Sequence, residues 1–166
     1  MKIKVTWVGK TKSPPIKALT IDYLERIRRM AACEIIEIRD PVRGRTPRAE
    51  ERIQMEGEDI ARHLPKGAFI IALDESGKQY ASEEFARRLE TEQNCGTKEM
   101  VFIIGGTDGL SRDISARAQM VLSMGKMTWT HEMCRALLLE QIYRALCILN
   151  KIPYHKGTSA TTGRAS

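Results

Sequence analysis

The sequence has no long apolar run. Its uninterrupted apolar stretches, such as Ala68 to Leu73 and Val101 to Ile104, fall far short of the roughly 20 residues that cross a bilayer, so no membrane span is expected. It has no close cysteine pair either. Cys33, Cys95, Cys134 and Cys147 are widely spaced, without the short separations that structural zinc or a redox disulfide uses. They read as reduced thiols of a cytoplasmic protein, and Cys134 and Cys147 fall in an apolar helical stretch where free cysteine behaves as a small hydrophobe. Histidine is scarce, and His63, His131 and His155 lie too far apart along the chain to form a local metal motif, so no metal is expected. Neither a G-x-x-x-x-G-K-[ST] phosphate loop nor a G-x-S-x-G elbow is present, which removes support for NTP hydrolysis and serine-hydrolase chemistry. Residues Met1 to Val8 alternate charged and apolar side chains instead of building a continuous apolar segment, the pattern of a strand and not of an export signal.

What is present suits one soluble α/β unit. With 166 residues, 42% hydrophobic and 29% charged, and a mean hydropathy of -0.33, the chain can build one core. A single domain over 1–156 is expected, followed by a small, polar, disordered tail over 157–166. The net charge is +6, and cations cluster: Arg39, Arg43, Arg45, Arg48 and Arg52 occupy one connection and the helix after it, while Arg26, Arg28 and Arg29 end the helix before. Such clustering suits a polyanionic partner. It equally suits a solvated surface with cations favoured at helix ends, and both readings stay open on charge alone.

The pattern predicts a strand over Lys2 to Val8, then a helix opened by Ser13-Pro14-Pro15 with Ser13 as N-cap. Ile16, Leu19, Tyr23, Ile27 and Met30 form the inward face of that helix. Cys33 to Ile38 is a second strand and Ala49 to His63 a charged helix. After Gly67 the character changes: Ala68 to Leu73 and Met100 to Ile104 are continuous apolar runs flanking a helix over Ser82 to Glu92. Strands without polar alternation are covered on both faces, which predicts a mostly parallel sheet with helices on both faces. Both runs end in turn-forming sequence, Asp74 to Gly77 and Gly105 to Gly109. Ligands of open α/β sheets bind outside the carboxyl ends of the strands, so these turns are the first candidates for a site. A short helix over Ser111 to Ala118 and a strand over Met120 to Ser123 follow. The helix Glu132 to Leu149 is apolar nearly all round, relieved mainly by Arg135, Glu140, Gln141 and Arg144. That pattern predicts burial on every side, against a second subunit, and hence a homodimer.

Several side chains carry two readings. Glu140 and Arg144 stand one helical turn apart, as a supportive ion pair in an interface or as part of a site. His131 is a packing residue or a functional one. His63 is a cation at a helix C-terminus, whereas His155, after Tyr154 and past the last helix, has no periodicity to explain it and is read as functional.

The motifs Leu73-Asp74-Glu75-Ser76-Gly77-Lys78, Phe102 to Leu110, Leu122 to Met133, Leu138 to Ala145 and Pro153 to Lys156 together resemble the ribosomal large-subunit methyltransferase H family, of the knotted SPOUT class. The resemblance runs from Met1 to about Lys156. It implies a SPOUT-type fold with a C-terminal trefoil knot, and methyl transfer from S-adenosyl-L-methionine to N3 of a pseudouridine in 23S large-subunit ribosomal RNA. It also implies a homodimer acting on the assembled ribosome. By the same resemblance, Leu73, Gly105, Gly106, Gly125, Lys126, Met127, Thr128, Trp129 and Thr130 surround the cofactor. His155, Glu140, Arg144 and Tyr154 are the candidates for catalysis: the first two near the N3 proton, Arg144 on a phosphate or the developing negative base, and Tyr154 as a stacking surface. A non-catalytic ribosome- or RNA-binding protein of the same fold is the alternative. A small-molecule methyltransferase would leave the arginine-rich connection unexplained.

Overall fold

The computed structural model describes residues 1–40 and 47–155. Arg43, Arg45, Lys156 and the tail lie outside the described residues. Among the described residues five strands and five helices alternate: β1 (Lys2–Val8), α1 (Pro14–Arg28), β2 (Cys33–Ile38), α2 (Ala49–His63), β3 (Phe69–Lys78), α3 (Ser82–Asn94), β4 (Glu99–Ile104), α4 (Arg112–Arg117), β5 (Met120–Leu122) and α5 (His131–Leu149). The strands form one sheet in the order β2-β1-β4-β3-β5, and every pairing is parallel. No described helix is long and apolar enough to cross a membrane.

The apolar runs are explained by layers on both sides of the sheet. Ile3, Val5 and Trp7 of β1 and Met100, Phe102 and Ile104 of β4 pack with α1, α3 and α5. The alternate residues Val8, Val101 and Ile103 pack with Ile60 of α2 and Ile114 of α4. Where β1 keeps its polar alternation, Lys4 is used in the sheet, meeting Glu99 at 2.9 Å and Glu34 at 3.6 Å.

Three expectations change. Leu19 is 45% exposed, and Thr20 takes its place on the buried face of α1, with its hydroxyl donating to Lys17 O. The Asp74 to Gly77 turn is an excursion inside β3 and not its end, because Leu122 of β5 pairs with both Leu73 and Lys78. Gly77 is required there: a Cβ would stand 2.7 Å from the backbone of Leu122. Finally, α5 is covered within its own chain. It packs against both α1 and α3, and no residue from His131 to Leu149 is exposed. Its apolar circumference therefore says nothing about the number of subunits.

Candidate functional site, a cleft at the strand ends

The chain leaves β3 through α3 on one face of the sheet and leaves β4 through α4 on the other. Loops that diverge in this way from neighbouring parallel strands leave a crevice between them. The crevice is a cleft of about 650 Å³, a size suited to a small organic ligand. Leu73, Gly105 and Gly106 line it from the strand ends. Gly125, Met127, Thr128, Trp129 and Thr130 line it from the segment between β5 and α5. Lys126 is exposed and is not part of the lining; Met127 and Trp129 beside it line the cleft while also remaining open to solvent.

The floor is made largely of backbone. A Cβ on Gly105 would lie 2.5 Å from the Gly109 carbonyl oxygen, and the turn closes through Gly109 N donating to Gly106 O at 3.2 Å. Gly109 has φ +91 and Gly125 φ +127, left-handed conformations that glycine adopts at little cost. Gly125 is also held by Ser123, whose hydroxyl donates to Gly125 O at 3.0 Å. Around this floor stand apolar side chains from Leu73, Ile104, Leu122 and Met124, with Asp74 and Glu75 at one rim. The N-terminus of α5, capped by Thr130 Oγ1 accepting from Met133 N at 3.2 Å, opens onto the same space. Burial, reinforced by Arg135, lowers the pKa of His131, which favours a neutral imidazole at the wall.

α5 is tied down where it meets the cleft. The Glu132 carboxylate accepts from Lys12 N at 2.8 Å and Ser13 N at 3.0 Å. Ser13 is the N-cap of α1 as expected, but its side chain makes no capping bond. Arg135 is fully buried, donates to Val8 O at 2.6 Å and Thr11 Oγ1 at 2.9 Å, and stacks 5.0 Å from the Trp7 ring.

Glu140, Arg144, Tyr154 and His155 are brought together, but not at the cleft. Arg144 donates to Glu140 and lies 4.8 Å over the Tyr154 ring, and the Tyr154 hydroxyl donates to Glu140 Oε1 at 3.0 Å. Arg144 also donates to His155 Nδ1 at 3.4 Å, which leaves the Nε2 proton facing Glu83 Oε1 at 2.6 Å. Burial, together with bonds to Tyr23 and Glu140, raises the Tyr154 pKa, so the phenol stays protonated. Along α5 the distance from Cys134, which lines the cleft, to Arg144 is roughly 15 Å at the rise of an α-helix. Within one chain the two groups do not meet.

Asp74 and Glu75 of the β3 excursion, Ile104, Thr107, Asp108, Gly109, Leu122, Ser123 and Met124, and His131 and Cys134 of α5, complete the lining. Most lie inside the motifs already recognised. Glu56 of α2 does not. Its carboxylate is buried behind Gly106, and the signal that could have found it is the neighbouring Gly57, a glycine in mid-helix. A Cβ on Gly57 would stand 2.4 Å from the Ser111 hydroxyl. Among the described residues no cluster of His, Cys, Asp and Glu could hold a metal.

Over residues 1–155 the chain matches the family described as predicted SPOUT methyltransferase. It is 42% identical over 155 residues to a ribosomal RNA large subunit methyltransferase H from Geotalea daltonii, covering 93% of this chain and 99% of that relative. It is 43% identical, with the same coverage, to a ribosomal RNA large subunit methyltransferase H from Trichlorobacter lovleyi. A solved structure of a probable methyltransferase from Bordetella pertussis Tohama I shares the fold, with a TM-score of 0.54 at 12% identity over 87% of this chain and 96% of that one. Coverage this complete leaves no described strand or helix outside the likeness: the chain belongs to the SPOUT methyltransferase family, alongside relatives named ribosomal RNA large subunit methyltransferase H.

Proposed function

We propose that this protein is the cytoplasmic enzyme that methylates N3 of a pseudouridine in large-subunit ribosomal RNA on the assembled ribosome, using S-adenosyl-L-methionine bound in the cleft. The observation that carries the reading is the convergence, on one cleft, of the two glycine-bearing segments that bring the likeness to the methyltransferases. The cleft suits such a ligand: Gly105 and Gly106 line it, and neither has room for a Cβ, which would meet Gly109 or the Glu56 carboxylate behind the wall. Apolar side chains flank it, and the positive end of the α5 dipole suits a carboxylate. Leu73, Gly105, Gly106, Gly125, Met127, Thr128, Trp129 and Thr130 would hold the cofactor. When bound, it supplies an activated methyl group, so no covalent nucleophile is required of the chain.

The residues then have two tasks, to align the target nitrogen and to handle its proton. His155 and Glu140 are the candidates for the proton, Arg144 for a phosphate or the developing negative base, and Tyr154 for stacking on RNA. Because these groups lie roughly 15 Å along α5 from the cleft, the reading calls for a homodimer in which the cluster of one copy faces the cleft of the other. The knotted path of the C-terminal segment belongs to the same reading. Net charge +6 favours RNA through phosphate contacts.

The test is transfer of labelled methyl from S-adenosyl-L-methionine to ribosomes purified from a strain lacking the gene, with mass mapping of the product. Label at N3 of one large-subunit pseudouridine is expected. Cofactor binding without any transfer to ribosomes, subunits or naked RNA would favour a binding protein of the same fold.

A further inference from the structure

Glu56 is a side chain that the proposed reaction does not use and the core does not need. It sits on α2, on the sheet face opposite α5, and is only 4% exposed. Its carboxylate packs against Gly106 and faces that residue's backbone N–H, which pulls its pKa down, while among the described residues Oε2 is buried without a hydrogen-bond partner. The contact is tight, since a Cβ on Gly106 would lie 2.5 Å from Oε2. One turn earlier on the same helix, Arg52 reaches the other side of the glycine turn and meets Asp108 at 3.1 Å. Thus α2 holds the Gly105–Gly109 turn at two points, from behind the wall whose front lines the cleft. Gly57, packed tightly on Ser111, sets how closely α2 approaches.

We propose that Glu56 is a positioning residue for the cofactor: by accepting from Gly106 behind the cleft wall, its carboxylate holds the glycine turn in the shape that receives the ligand. This rests on the reading of the cleft as the cofactor site. An ionised acceptor holds an N–H more strongly than a neutral one, so the clasp is firm when Glu56 is charged and loose when it is protonated. The charged groups that face it among the described residues are Asp40 after β2, Arg52 on α2 and Asp108 in the turn. Burial, and then Asp40, push its pKa up to about 7, against the pull of Arg52. The loop therefore changes grip near neutrality.

The arrangement also works against stability. An acid whose pKa is raised in the folded state binds its proton more tightly folded than unfolded, so stability falls as pH rises from its ordinary value of 4.5 through about 7. A buried carboxylate that weakens the fold at neutral pH is what a site residue looks like, since a structural role would be better served by a neutral side chain.

The test uses Glu56→Gln, which mimics the protonated acid. Calorimetry with S-adenosyl-L-methionine and with S-adenosylhomocysteine at about pH 6 and pH 8 reads the clasp through affinity. The wild type should bind both ligands several-fold more tightly at the higher pH. E56Q should lose about tenfold at the higher pH, equally for both ligands, and show little dependence on pH. Its melting temperature at pH 8 should be a few degrees above wild type, which separates lost function from lost folding. In the protein without ligand, the Gly106 amide resonance should titrate in the wild type and not in E56Q. An E56Q that keeps wild-type affinity and pH slope overturns the role of Glu56 alone. A loss confined to the sulfonium ligand shows a charge effect and overturns positioning. Wild-type protein that binds neither ligand at any pH overturns the cofactor reading together with this one.

Discussion

The two ends of α5 are built from different materials. At its N-terminal end the cleft is backbone and apolar surface: glycine turns at Gly105–Gly109 and Gly125, flanked by Leu73, Ile104 and Leu122. At its C-terminal end Glu140, Arg144, Tyr154 and His155 form a network of polar side chains with Glu83 and Tyr23. The first encloses space for a ligand, with Asp74, Glu75, Asp108 and His131 in its lining; the second is a hydrogen-bonded cluster whose side chains lie outside that lining. In the proposed reaction, the difference makes holding the methyl donor and handling the substrate proton separate structural problems, which can be broken separately.

The largest effect is expected at the cleft. Gly106→Val drives a branched side chain into the Glu56 carboxylate, which a Cβ alone would meet at 2.5 Å. Overpacking of this kind costs about 1 to 3 kcal/mol, and cofactor affinity should fall by about a hundredfold or more, read by calorimetry. Normal binding by a folded G106V would remove the cleft from the reading.

At the other end, His155→Ala should leave cofactor affinity unchanged and lower methyl transfer to ribosomes by about a hundredfold, the usual range for a lost general base. Weakened cofactor binding in this variant would erase the contrast between the two ends.

Mixing the two variants sharpens the contrast further. Cofolded G106V and H155A chains should regain roughly a quarter of the wild-type transfer if random dimers pair an intact cleft with the partner's intact cluster. No recovery in dimers shown to be mixed would place both halves of the site in one chain.

The smallest effect concerns the anchor of α5. The backbone N–H groups of Lys12 and then Ser13 hold the Glu132 carboxyl below its ordinary value of 4.5. A lowered acid contributes stability above its unfolded pKa and loses it as pH falls through the folded one. Wild type should therefore lose more stability than Glu132→Gln on acidification below about pH 4.5, as read by urea midpoints. Parallel acid limbs for the two proteins would show that the tie to the β1–α1 loop carries no energy.

Most of the layering was legible from local pattern. The continuous apolar runs Ala68 to Leu73 and Met100 to Ile104 announced strands covered on both faces, and Ala49 to His63 was a helix with the bounds observed. The turn at Gly105–Gly109 was marked by its glycines. Two things escaped, each because it depends on distant chain segments. The apolar circumference of α5 suggested a partner subunit, but α1 and α3 cover it. Glu56 looked like one more charge on a charged helix until Gly106 was found against it.

The sequence by itself determined the alternation of strands and helices, the parallel sheet and the glycine turns, because periodicity and backbone permissiveness are properties of neighbouring residues. Only the tertiary structure decided which strand ends share a cleft, that Glu140, Arg144, Tyr154 and His155 gather roughly 15 Å along α5 from it, and that Glu56 stands behind its wall. Those facts follow from how helices on opposite faces pack across one sheet, and packing between residues far apart in sequence leaves no periodic trace along the chain.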